Sequence, residues 1–195
     1  MNETDNNIIS KATPPSGAGG LKFSNETMEL VKSIIKRYPE GKQKSALLPT
    51  LHLAQAEFDG WLSIPVMDHV AEVLQIKPIE VYEVASFYSM FNLKPGGKCL
   101  IEVCRTSSCW LRGAEDIIHH IEKKLNIKAG ETTLDGKFTL KTVECLGSCG
   151  TAPMLQIGEQ YHENLTMDKV DSLLDTWKNS DKHSTYLDTN TFRKN

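Results

Sequence analysis

The chain has 195 residues, 39% hydrophobic and 24% charged, with a formal net charge of −3, the composition of an ordinary globular protein of one or two domains. That balance offers no basic surface for nucleic acid or anionic lipid, and no stretch reaches the run of about 18 apolar residues that would span a bilayer. Five cysteines, an odd number, follow an N-terminus, "MNETDNNIIS", with neither a secretory nor a mitochondrial targeting pattern; they fit reduced thiols or metal ligands better than a disulfide framework.

Residues 1–23 are polar and small, with "TPPSGAGG" supplying Pro and Gly, and read as a flexible leader. From Ser24 the period becomes helical: Met28, Val31, Ile34, Ile35 and Tyr38 recur every three or four residues until Pro39,. A second helix is expected from Ser45 to Pro49 onward, carrying Leu47, Leu48, Leu51 and Phe58 up to Asp59-Gly60, since proline is tolerated in a first turn. Ser63 is the expected N-cap of a third helix with Val66, Val70, Val73 and Leu74 as its stripe,, and Pro78 opens a fourth over "PIEVYEVASFYSMF". Together they predict a small helical bundle over 24–92.

"NLKPGG" at 92–97 interrupts this period and marks a domain boundary. "KCLIEV" (98–103) reads as a buried strand,, and one amphipathic helix is expected over about 109–126, with Ile117, Ile118, Ile121 and Leu125 on its apolar face,. "DGKFTLKTV" predicts a turn into a second strand, "PMLQIGEQYHENL" a hairpin around Gly158-Glu159, and "TMDKVDSLLDTWKN" a last helix capped by Thr166, with Val170, Leu173, Leu174 and Trp177 on one face,. The expected class is α+β, the second domain (98–178) being a compact sheet with helices against it and plausible as a thioredoxin-like fold. The polar residues 179–195 read as a mobile tail.

Each of the first two strands of that domain is followed by a cysteine pair. Cys104 and Cys109 form C-x4-C, Cys145 and Cys149 form C-x3-C, and 35 residues lie between the pairs. Four thiolates on two loops admit a structural zinc, which closes a tetrahedron of sulfurs, or a 2Fe-2S cluster, which needs two thiolates on each of two irons. The surroundings favour the cluster, whose four thiolates and sulfides leave a formal charge of about −2, or about −3 when reduced. "RTSS" between Cys104 and Cys109 offers N–H groups and hydroxyls, Gly147 and Gly150 let backbone approach sulfur,, and a helix start after Cys109 would add a positive dipole end. Only Arg105 and Arg112 are cationic nearby in sequence, so a low reduction potential is expected.

"EVASFYSMF", "VCRTSSCWLRG", "ECLGSCGTAPM" and "YHENLT" together resemble the thioredoxin-like 2Fe-2S subunit of NADH:quinone oxidoreductase (respiratory complex I, the NuoE family). The resemblance spans about residues 24–178. It implies a helical region followed by a thioredoxin-like 2Fe-2S ferredoxin domain, one 2Fe-2S cluster held by Cys104, Cys109, Cys145 and Cys149, and a partner subunit that binds FMN and NADH. It further implies single-electron exchange with that flavin, off the main electron path, on the cytoplasmic side of a bacterial inner membrane without insertion into it. The same module in the diaphorase part of a NAD-linked hydrogenase or formate dehydrogenase is the near alternative, and a zinc-stapled binding module without redox function the distant one.

Other residues read as structural. Cys99 shares strand parity with Ile101 and Val103 and is expected to be a buried small hydrophobe,. His119-His120 has no carboxylate set beside it in sequence, which points to a polar-face role. Trp110 is open to two readings, a cluster shield or a core or interface anchor. "KPGG" lacks the spacing of a phosphate loop and no dinucleotide fingerprint occurs, so NADH binding is not expected of this chain alone.

Overall fold

The computed structural model describes residues 21–180 and Ser184; most of the expected leader (1–23) and tail (179–195) lies outside the described residues. The chain divides after Pro95 into two compact units.

The first unit holds four helices, α1 (Asn25–Ile35), α2 (Leu47–Glu57), α3 (Ile64–Leu74) and α4 (Pro78–Phe87), with a 3-10 turn at Gln43–Ala46 leading into α2. Local chemistry sets the starts: the Ser24 hydroxyl accepts from the Thr27 N–H at 3.2 Å, the Ser63 hydroxyl faces the Val66 N–H at 3.4 Å, and the Glu80 carboxylate accepts from the Lys77 N–H at 2.9 Å,. Two helices stop earlier than their apolar spacing suggests. After Ile35 the amides of Arg37 and Tyr38 bond three residues back, to Ile34 and Ile35 carbonyls, which tightens the turn and takes Tyr38 out of α1. After Phe87 the Phe91 N–H bonds the Tyr88 carbonyl, so the "YSMF" stretch is a turn. Phe23, Leu30, Val31, Ile34, Leu47, Leu51, Val66, Val70, Leu74, Val81 and Phe91 are buried in one core. The buried Gln55 side chain fastens this bundle to its exit segment, accepting from the Asn92 N–H at 2.7 Å and donating to the Met90 carbonyl at 3.2 Å.

The second unit is a four-stranded sheet with helices packed on one face. The strands are β1 (Cys99–Cys104), β2 (Phe138–Val143), β3 (Leu155–Ile157) and β4 (Gln160–His162), in the order β2-β1-β3-β4. β2 runs parallel to β1, β3 antiparallel to it, and β3 and β4 form the hairpin around Gly158. Register places Cys99 beside Phe138, Ile101 beside Leu140 and Ile157, and Val103 beside Leu155. These residues, with Ile117, Ile118, Ile121, Val170 and Leu174, form the core. Period two in the strands and period 3.6 in the helices therefore meet on one face of the sheet.

The single helix expected over 109–126 is two helices, α5 (Ser107–Leu111) and α6 (Ala114–Leu125). Gly113, at φ 90°, breaks them, a conformation an L-side chain avoids and glycine takes freely. The last helix, α7 (Met167–Lys178), is capped by the Thr166 hydroxyl. His120 on α6 lies 2.6 Å from Asp171 on α7, which Lys124 also meets at 2.9 Å; the histidine on the polar face is an inter-helix tie.

Glu102 projects from β1 toward the face opposite the core, 3.5 Å from Lys141, its register partner on β2,. Burial outweighs that lysine and holds the carboxyl above its ordinary range,. A raised folded-state value means that Glu102 adds stability below the unfolded value of about 4.3 and loses it as pH rises through the folded value. Glu102→Gln is accordingly expected to flatten the stability profile above about pH 4 and to match or exceed the parent chain at neutral pH, as read by urea unfolding across pH. A variant uniformly weaker at all pH values would contradict this.

Candidate metal centre

The four cysteines expected to act together are delivered by the C-terminal ends of two parallel neighbours, β1 and β2. Cys104 is the last residue of β1, and Cys109 lies within α5. The helix that follows it, α6, begins at Ala114, which packs with Cys104 and Cys109. Cys145 follows β2 and Cys149 opens a 3-10 turn, Cys149–Thr151. Cys104 and Cys109 are buried in a small cluster with Ala114, Ala152 and Met154, whereas Cys145 and Cys149 are exposed.

Contacts run within and between the pairs. Cys145 Sγ and Cys149 Sγ are 3.6 Å apart; two thiolates on one tetrahedral ion with bonds of about 2.3 Å stand about 3.8 Å apart. Thr106 faces sulfurs of both loops, Cys104 and Cys145. Among the described residues no three His, Cys, Asp or Glu side chains form a group suited to a single metal ion. The cysteines come together as pairs.

N–H and O–H groups converge on the sulfurs. The Gly147 N–H points at Cys145 Sγ at 3.4 Å, and Thr106 Oγ1 lies 3.4 Å from Cys104 Sγ. Burial pushes the Cys104 thiol up, but the Thr106 hydroxyl and N–H, the Leu146 N–H and the Cys109 thiol together bring it below the ordinary thiol range. Cys145 is lowered by the Gly147 N–H first, then by Cys149 and Thr106. Cys109 is pushed up to about 11 by burial and by Cys104. A site that favours thiolate at some sulfurs and supplies donors to them suits an anionic metal-sulfur group. The sequence pointed to the glycines; Thr106 was legible only as one hydroxyl among several in "RTSS", and its reach across both loops comes from the fold.

The cationic neighbours are already engaged. Arg105 lies 4.0 Å from Glu144, and the Arg112 side chain donates to the Ala152 carbonyl at 3.4 Å. Cys99 lies away from the site: 0% exposed, it sits in the core on the face of β1 opposite Cys104, and burial pushes its thiol up to about 12. Trp110 is 58% exposed and Leu111 75%, which removes the reading of Trp110 as a core anchor.

Gly147 adopts φ 84°, and a Cβ there would meet nothing within 4 Å, so Gly147→Ala costs only backbone strain, about 1–2 kcal/mol. Relaxing that strain turns the N–H away from Cys145 Sγ. Donors to sulfur stabilise the more negative, reduced state, so the variant is expected to titrate at a lower midpoint potential, followed by electron paramagnetic resonance. An unchanged midpoint would mean that this N–H does not act on the sulfur.

The chain is similar to known proteins. Residues 31–178 match the thioredoxin-like 2Fe-2S ferredoxin family. The chain is 48% identical over 161 residues to the E subunit of NADH-quinone oxidoreductase from Rickettsia felis, covering 83% of this chain and 96% of that one. It is 46% identical over 158 residues to the mitochondrial NADH dehydrogenase (ubiquinone) flavoprotein 2 of Dictyostelium discoideum, covering 81% of this chain and 64% of that one. Among solved structures, an air-oxidised NAD+-reducing NiFe hydrogenase aligns with TM-score 0.60 and 22% identity over 68% of this chain, which spans 22% of the hydrogenase chain; at that identity the likeness concerns the fold. With strand-end cysteine pairs, family match and relatives in agreement, the chain belongs to the thioredoxin-like 2Fe-2S ferredoxin family, whose cofactor is one 2Fe-2S cluster.

Proposed function

We propose that this chain is the electron-transfer subunit of an NADH:quinone oxidoreductase, exchanging single electrons with the FMN of a partner subunit that oxidises NADH. Cys104 and Cys109 would hold one iron of the 2Fe-2S cluster, Cys145 and Cys149 the other. The observation that carries the reading is the delivery of two cysteine pairs to the same ends of parallel neighbouring strands, with the second pair spaced at 3.6 Å for a shared ion. When bound, the cluster supplies a site that takes up or gives back one electron without bond-making by the protein.

The chain's own residues set the conditions for that exchange. Cys104 and Cys109 anchor one side in apolar packing, and Cys145 and Cys149 leave the other side open to a partner. The Gly147 N–H and Thr106 hydroxyl offset charge on sulfur, while the arginines are occupied by Glu144 and the Ala152 carbonyl. Those donors raise the potential, but with both nearby arginines engaged elsewhere the midpoint stays low. On the helical unit, Trp61, Leu62, Met67, Ile79, Tyr82 and Leu93 line a groove of about 320 Å³, an apolar surface suited to the flavin subunit.

No helix among the described residues is long and apolar enough to cross a membrane, and the proposed place is the peripheral arm on the cytoplasmic side of the inner membrane. Relatives at 46–48% identity named for NADH oxidation to quinone favour this host over hydrogenase, for which the likeness is 22%. The purified chain is expected to be reddish-brown, with two irons and two acid-labile sulfides, and to co-purify with an FMN-containing subunit. A colourless protein with one zinc would sink the proposal, and co-purification with hydrogenase or formate dehydrogenase subunits would reassign the host.

A further inference from the structure

The block "YHENLT" (161–166) carries no cysteine, yet Tyr161, Glu163, Asn164 and Leu165 all bond to the segment from Leu146 to Pro153 that holds Cys149. The Tyr161 hydroxyl donates to the Leu146 carbonyl at 2.7 Å. The Asn164 N–H bonds the Thr151 carbonyl at 2.7 Å, and the Leu165 N–H the Pro153 carbonyl at 3.0 Å. Between these, Glu163 Oε1 accepts from the Ser148 hydroxyl and, at 2.7 Å, from the Thr151 hydroxyl, which are themselves 2.7 Å apart. Ser148 immediately precedes Cys149 and Thr151 follows it by two.

From this we infer that Glu163 is a positioning residue for the cluster, a latch whose single carboxylate oxygen closes the Ser148–Thr151 segment and so fixes Cys149. The inference rests on Cys149 being a ligand, as proposed above. Cys149 and Cys145 are exposed, so apolar packing does not hold this half of the site as it holds Cys104 and Cys109. The loop has hydrogen bonds in its place. Those to a charged acceptor are the strong ones, and one acceptor serving two donors on either side of a residue restrains that residue's backbone directly. Glu163 is itself steadied at its root, where the Lys169 ammonium donates to the Glu163 and Asn164 carbonyls at 3.4 and 2.9 Å.

The test uses the cluster-loaded full chain, with release to an excess of EDTA followed by loss of visible absorbance. Glu163→Ala is expected to release the cluster about 10-fold faster, the equivalent of about one net hydrogen bond. Glu163→Gln keeps an acceptor oxygen and should stay within about 3-fold of the parent. Adding Glu163→Ala to a chain that already carries Ser148→Ala and Thr151→Val should produce no further acceleration, because the donors are gone. A parental release rate for Glu163→Ala, or additive effects in the combined variant, would overturn the inference. So would a faster release matched by a lower melting temperature of the cluster-free protein, which a general loss of stability would give and a loop latch would not. If Cys149 is no ligand, Cys149→Ser retains the parental spectrum, which separates that failure from failure of the latch.

Discussion

Cys145→Ser is expected to remove the visible spectrum and the reduced-state paramagnetic signal, with iron falling from two per chain to a small residue. A hydroxyl at this position cannot match a thiolate as a soft ligand, and the site has no spare thiol nearby: Cys99 is 0% exposed in the core, on the face of β1 opposite Cys104. The Gly147 N–H and the Thr106 hydroxyl that serve Cys145 would be left facing a poorer acceptor. Cys99→Ala is the matched control and should keep full iron and sulfide, since it deletes only a small buried group. Iron and sulfide analysis with the absorption spectrum decides both, and an unaltered cluster in Cys145→Ser would show the ligand set to be wrong.

Ile101→Ala is expected to cost about 2–5 kcal/mol, a large share of the roughly 5–15 kcal/mol that holds a domain folded. Ile101 is 1% exposed at the centre of β1, between Leu140 on β2 and Ile157 on β3. The strand that carries it ends in Cys104, so the hole opens three residues from the site. In the cluster-free protein the melting temperature of the second unit should fall by about 10–25 °C. Cluster binding should recover part of this, because a ligand that binds the folded state stabilises it by mass action. Differential scanning calorimetry reads the change, and a shift under about 3 °C would mean that neighbouring side chains close the gap.

Helix positions in the first unit were legible because capping chemistry and apolar spacing agree there: Ser24 and Ser63 start α1 and α3 where the stripes begin, and Pro78 opens α4. Both early stops, after Ile35 and Phe87, involve residues whose apolar side chains suit either a helix or a turn, and i-to-i+3 hydrogen bonds settle the matter. The break at Gly113 was hidden by Ile117, Ile118 and Ile121, which continue a stripe the eye extends backward to Cys109. One glycine at positive φ outweighs it.

By itself the sequence determined the α+β class, the strand-then-cysteine pattern in duplicate and the burial of Cys99, because strand parity and residue spacing are local and periodic, while the kinship of the chain came from the resemblance of whole blocks to a known family. Tertiary structure alone decided that β1 and β2 run side by side and parallel, so that cysteine pairs separated by 35 residues reach one end of one sheet. It decided that Thr106 faces both loops and that Glu163 reaches Ser148 and Thr151. Those contacts join segments whose separation along the chain carries no period, and only the packing of the sheet brings their polar groups within hydrogen-bonding distance.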